Sequence, residues 1–216
     1  MRSCITGIPR ILVFACLSLA AAASVQAGEL TRLQLHAAPG GNTFSGWSEQ
    51  APFKRLHTVA LELGDELEGT ILSLSTTASP DTHRVSVQFE TSMAISDEGP
   101  HIDLLDWKHC VSEWKFLQPM QGGNHYRLPG PTEAEASCFP PVTAQEIEAA
   151  VLAELQGYSF EEARVQRWLE LARGVSAPGE SPSYVGVSKV RLRFEQYVDD
   201  QWVEVTRVEF TSPLGC

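Results

Sequence analysis

The chain has 216 residues, with 16 Lys and Arg against 27 Asp and Glu, giving a formal net charge of -11. An acid surplus of that size argues against nucleic acid or anionic lipid as a partner, since both require a concentrated cationic surface. It matches a basic protein partner instead.

The first 27 residues read as a secretory signal peptide. Arg2 comes early with no acid nearby, Ile11 to Ala23 is an apolar run, and Val25-Gln26-Ala27 has the small-x-small look of a cleavage site. The apolar run is shorter than the roughly 20 residues a spanning helix needs, so cleavage is expected, with no transmembrane segment left afterwards. Losing Arg2 and Arg10 and no acid would move the net charge from -11 to -13. Residues 28–216 are then expected to form a single α+β domain in the periplasm or outside the cell.

From Glu29 to His125 the pattern is mostly period two. Leu33 and Leu35 suggest a first strand, His57-Val59-Leu61-Leu63 a second, and Leu72-Leu74 a third beyond the turn at Gly64-Asp65-Glu66. Val85, Val87 and Phe89 alternate with Arg84, Ser86, Gln88 and Glu90, as expected of a strand with one face buried and one wet. Between the first two, a turn-rich stretch from Pro39 to Pro52 carries Phe44 and Trp47, which either fold back onto the core or form a contact surface.

Two helices follow. Thr143 with Glu146, and Ser159 with Glu162, have the spacing of capping boxes. Ile147, Ala150, Val151 and Leu155 form one apolar stripe, and Val165, Trp168, Leu169 and Ala172 another. Gly157 and Gly174 stand where these helices should stop. After the turn formers of residues 177–182, Val190-Leu192-Phe194 and Val203-Val205 read as a terminal hairpin turning at Asp199-Asp200. Apolar parity changes before Val208 and Phe210, which predicts a bulge near Thr206-Arg207. The expected fold class is α+β: a mainly antiparallel sheet, a helical hairpin packed on it and a C-terminal β-hairpin.

Beyond the leader, the cysteines are Cys110, Cys138 and Cys216. In an oxidising compartment Cys110 with Cys138 is the simplest disulfide, closing a loop worth about 3 to 4 kcal/mol in the chain-entropy model. Cys216 remains an alternative partner for either, or for a second molecule.

The densest polar stretch runs from Asp97 to Cys110. Imidazole and carboxylate suit zinc and similar divalent ions, so His101, Asp103, Asp106 and His109 form a candidate ligand set. In a strand His109 would stand roughly 26 Å from His101; in a helix His101 leaves the three-residue step of the others. The competing expectation is a turn whose Leu104, Leu105 and Trp107 enter the core. Paired acids at 65/66, 97/98 and 199/200 fit turns better than glycan cleavage. Ser112-Glu113-Trp114-Lys115 matches S-x-x-K with no K-T-G following, and there is no G-x-S-x-G, H-E-x-x-H or phosphate loop.

The expectation that results is an exported, non-enzymatic binding protein without a cofactor, of the inhibitor or immunity type, directed at a basic enzyme or toxin. A small metal-assisted hydrolase built on residues 101–109 and an envelope assembly component are the alternatives. Trp47, Asp97, Glu98, Asp103, Asp106 and Trp107, lying outside the helical stripes, are the candidate partner surface.

Overall fold

The computed structural model describes residues 29–37, 44–97 and 99–214. The expected leader, residues 38–43, Glu98 and Cys216 lie outside the described residues. The strands, in chain order, are β1 (Leu30–His36), β2 (Trp47–Gln50), β3 (Leu56–Ala60), β4 (Ile71–Thr76), β5 (His83–Ser96), β6 (His101–Leu104), β7 (Cys110–Val111), β8 (Lys115–Phe116), β9 (His125–Arg127), β10 (Ser183–Val198) and β11 (Gln201–Thr211). Helices α1 (Glu133–Ala136), α2 (Ala144–Leu155) and α3 (Glu162–Arg173) separate β9 from β10.

Two sheets form. The smaller has the order β2-β1-β4-β9, and the larger runs β3-β11-β10-β5 with β6, β7 and β8 all pairing along β5. Pairing is antiparallel except between β3 and β11, which are parallel from Leu56/Arg207 to Ala60/Thr211. The fold class is therefore the α+β arrangement expected, with the helical pair and the terminal hairpin in place.

Odd positions of β5 feed two apolar clusters. Val85, Val87 and Phe89 join Leu192 and Phe194 of β10 and Val208 and Phe210 of β11 against Leu33, Leu35, Leu72 and Tyr126 of the small sheet. Further along, Met93 and Ile95 meet Leu104 and the helical stripes, including Ile147, Val151, Trp168 and Leu169. Phe44 and Trp47 belong to the first cluster, their rings 6.1 and 6.0 Å from Phe210 in edge-on contact. Burying such large apolar surfaces is the main term favouring the fold.

Several local expectations are corrected. The box at Thr143 forms, with Thr143 N–H donating to Glu146 Oε2 at 2.8 Å and Glu146 N–H to Thr143 Oγ1 at 3.3 Å. The one at Ser159 does not: Glu161 is the N-cap of α3 and makes no side-chain cap bond, while Tyr158 and Phe160 stack 5.4 Å apart in the preceding turn. A box absent from the sequence reading appears at Thr132 and Glu135, at the start of α1. The hairpin's register shifts between Phe194/Thr206 and Glu195/Glu204, so the bulge falls at Val205, one residue earlier than expected.

The even face of β5 is not wet. Ser86, Glu90 and Ser92 are buried. Long side chains from β10 lie across this face, and Trp114, on the connection between β7 and β8, sits 4.5 Å from the Arg193 guanidinium carbon and 5.5 Å from that of Arg207. Arg84 likewise lies between the rings of Phe116 and Trp202 at 4.7 and 4.3 Å. Cys110 and Cys138 stand at disulfide distance, Cα atoms 5.7 Å apart, and fasten this covering segment beside β5.

Candidate functional site

The strand β6 ends at Leu104, and the turn after it swings residues 105–107 against the C-terminal half of α2. Leu104 is buried and anchors the turn; Trp107 packs on the second cluster with its ring 6.3 Å from that of Phe139. The consequence is a cleft of about 440 Å³ lined by His101, Ile102, Asp103, Leu105, Asp106, Glu154, Leu155, Tyr158 and Phe160. A shallower one of about 240 Å³ continues it, sharing Asp106 and Glu154 and adding Trp107, Ala150 and Ala153. Together they make a groove along α2 with an apolar floor and carboxylates on both sides.

Acids dominate the groove's described lining, and two cations touch its rings: Lys108 Nζ is 5.3 Å from the Trp107 ring centre and the Arg164 guanidinium carbon 4.7 Å from that of Phe160. Its carboxylates are Asp103, Asp106 and Glu154, and no Lys or Arg stands among the described residues lining it. Lys108, the next residue along from Trp107, reaches α2, where its Nζ lies 2.7 Å from Glu146 Oε1. That contact, with the Thr143 cap, holds the Glu146 carboxyl down at about 2.

Asp103 has a structural partner as well. Its Oδ2 accepts the Leu214 backbone N–H at 3.1 Å, and its Oδ1 lies 3.4 Å from His101 Nε2. Ser212 N–H meets the carbonyl of Ser188 on β10, so the C-terminal segment crosses from β10 past β5 to reach Asp103 on β6. Asp106 is exposed and Glu154 half-buried, which leaves these two best placed to meet another molecule.

The structure brings His101, Asp103, Asp106 and Trp107 to one groove and takes His109, Trp47 and Asp97 elsewhere. His109 turns to β5, its Nδ1 3.9 Å from Glu90 Oε1. Among the described residues no three His, Cys, Asp or Glu are grouped so as to hold a metal ion, so the four candidates do not form one ligand set. Trp47 is 5.9 Å from the His57 ring and packs in the first cluster. Asp97 receives two hydrogen bonds from Arg167 of α3, at 3.0 and 3.1 Å, which lower its carboxyl's pKa. Glu154, Tyr158 and Phe160 were missed, because they come from the end of α2 and the turn beyond it, and no local spacing links them to residue 101.

On the large sheet carboxylates and cations pair directly. Arg191 holds Glu90 and Glu209, Lys189 Nζ is 3.0 Å from Glu90 Oε1, and Arg84 grips Glu195 through two bonds of 2.9 and 3.0 Å. Burial alone would raise the Glu90 carboxyl; the bonds from Arg191 and Lys189 outweigh it and hold it below the ordinary value.

No known family, no curated protein and no solved structure matches this chain. Among the described residues no helix is long and apolar enough to cross a membrane.

Proposed function

We propose that this is an exported, non-enzymatic binding protein that captures a basic protein partner in the groove along α2, acting as an inhibitor or immunity-type protein against a basic envelope-targeting enzyme or toxin. The observation that carries this reading is the groove's composition: Asp103, Asp106 and Glu154 around Leu105, Tyr158 and Phe160, with no Lys or Arg in its described lining. Aromatic anchors beside acids in excess are what a surface needs to seat an apolar side chain and speed encounter with a cationic protein. The leader-like first 27 residues and the Cys110–Cys138 pair at disulfide distance support export.

The test uses paired baits, wild type and an Asp106→Lys/Glu154→Lys variant, against envelope extract of the producing cell at low and high salt. The expected outcome is one basic protein retained stoichiometrically by the wild type, released by salt and absent from the variant. The same proteins on both baits would refute the proposal.

A further inference from the structure

The large sheet ends on one side in β3, which among the described residues pairs with β11 and with no other strand. At the other side the segments bonded to β5 are no longer than four residues, and the C-terminal segment reaches Asp103 on β6. β3 is the longer and barer edge. Its five residues, Leu56-His57-Thr58-Val59-Ala60, include no proline, lysine, arginine or carboxylate. Proteins usually blunt such an edge with charge, proline or a cover, because its unpaired backbone is a template for another strand.

Two bonds fix which backbone groups are free. Arg207 N–H donates to the Arg55 carbonyl at 3.0 Å and Leu61 N–H to the Thr211 carbonyl at 2.8 Å, so the odd residues of this segment turn their backbone towards β11. Alternation along the strand then turns the N–H and C=O of Leu56, Thr58 and Ala60 outward. These three residues are exposed, whereas His57 is buried and Val59 packs on the first cluster. Beyond them the backbone is used within the chain: the Lys54 carbonyl accepts from Thr206 Oγ1 at 2.7 Å, and Glu62 N–H donates to Asp65 Oδ2 at 2.9 Å. The open stretch therefore has a defined middle, Thr58, and defined ends.

Charge decides what fits there. Lys54 and Arg55 are exposed at one end and Glu62 at the other, and none of these three side chains forms an ion pair among the described residues. An antiparallel strand carrying acid opposite Lys54 and Arg55 and base opposite Glu62 would complete the edge, and β3 itself has that pattern. We infer that β3 pairs with β3 of a second copy of this chain, antiparallel about Thr58, so that the large sheet continues across a two-fold axis. Leu56 then meets Ala60 of the second copy, Thr58 meets its own equivalent in a favourable cross-strand pair, and Lys54 and Arg55 of each copy approach Glu62 of the other. A parallel arrangement would set like charge on like. So short an edge buries less than a standard interface, which gives an expected dissociation constant on the order of 0.1 mM. This surface shares no residue with the groove along α2, so self-association and capture of a basic partner are separate readouts.

The experiment is sedimentation equilibrium of residues 28–216 from about 10 µM to 1 mM, roughly a decade either side of that constant, with Cys216→Ser throughout to exclude disulfide-linked dimers. Salt of about 0.15 M screens the net charge beyond about 8 Å and leaves the contacts at the strand ends. A monomer–dimer equilibrium is expected, with amide exchange of Leu56, Thr58 and Ala60 slowed at the highest concentration and not at the lowest. Lys54→Glu/Arg55→Glu and, separately, Glu62→Lys should each weaken the dimer about tenfold, because like charge then meets at both ends. An equimolar mixture of these two variants should recover the wild-type affinity, since acid again faces base at both ends. The substituted residues are exposed, so each variant is expected to keep the wild-type melting temperature. A wild type that stays monomeric at about 1 mM, or a mixture no stronger than its components, would overturn the proposal. So would a dimer in which exchange at the three amides is unchanged.

Discussion

On the polar face of the large sheet carboxylates and cations come in contact, while the groove along α2 is lined by carboxylates and a histidine with no Lys or Arg among its described lining. Glu90 is nearly fully buried yet lies between Arg191 and Lys189. Asp106 is exposed and shares its groove with Asp103 and Glu154. Compensated charge costs desolvation and returns it in hydrogen bonds, which fixes strand register and side-chain position. Acids in excess, as at Asp106 and Glu154, add little to the fold and raise the potential a cationic partner meets. The first arrangement is structural; the second is what a recognition surface requires.

The comparison breaks most visibly at Glu90. Glu90→Gln leaves Lys189, and Arg191 with only Glu209, facing a neutral buried site, and urea unfolding should show a loss of about 3 kcal/mol, the size seen when one partner of a buried pair is removed. Replacing Cys110 and Cys138 together by alanine loosens the segment covering the polar face and should cost a similar amount, about 3 kcal/mol, by the same assay under oxidising conditions.

Acid sharpens the contrast. Burial lowers the His83 pKa below its ordinary 6.5, so the unfolded chain binds more protons there. The stability this contributes is present above about 6.5 and lost as pH falls through that value towards the folded pKa. Glu90 and Glu135, held below the ordinary 4.5 by their cations despite burial, contribute stability present above about 4.5 and lost further down. Melting temperature measured from pH 8 to 2 should therefore fall in two stages, and His83→Gln should remove the upper one; a variant with an unchanged upper stage would contradict the assignment. The smallest effect belongs to the groove: Asp106→Asn should change stability by no more than about 0.5 kcal/mol while weakening partner capture. A loss as large as that of Glu90→Gln would erase the distinction between the two regions.

Much of this architecture was legible where the signal is local. Alternation in β5, β10 and β11 and the 3.6-residue stripes of α2 and α3 each follow from side chains within one element. The parallel pairing of β3 with β11 joins residues some 150 positions apart, and nothing in either segment announces it. The polar face was misread as wet because alternation reveals two faces but not what covers the second; Trp114 and the arginines of β10 do so. In the candidate site, His101, Asp103, Asp106 and Trp107 were found because they are close in sequence. His109 was wrongly grouped with them because the chain has by then turned towards β7. Glu154, Tyr158 and Phe160 arrive from α2, a distance that sequence does not encode.

The most direct measurement is amide hydrogen exchange of residues 28–216 with and without the partner captured by the wild-type bait. The account predicts added protection in residues 101–107 and 150–160 and none on β10 and β11. Protection centred on Trp114, Phe116 and Trp202, with the groove unchanged, would contradict it.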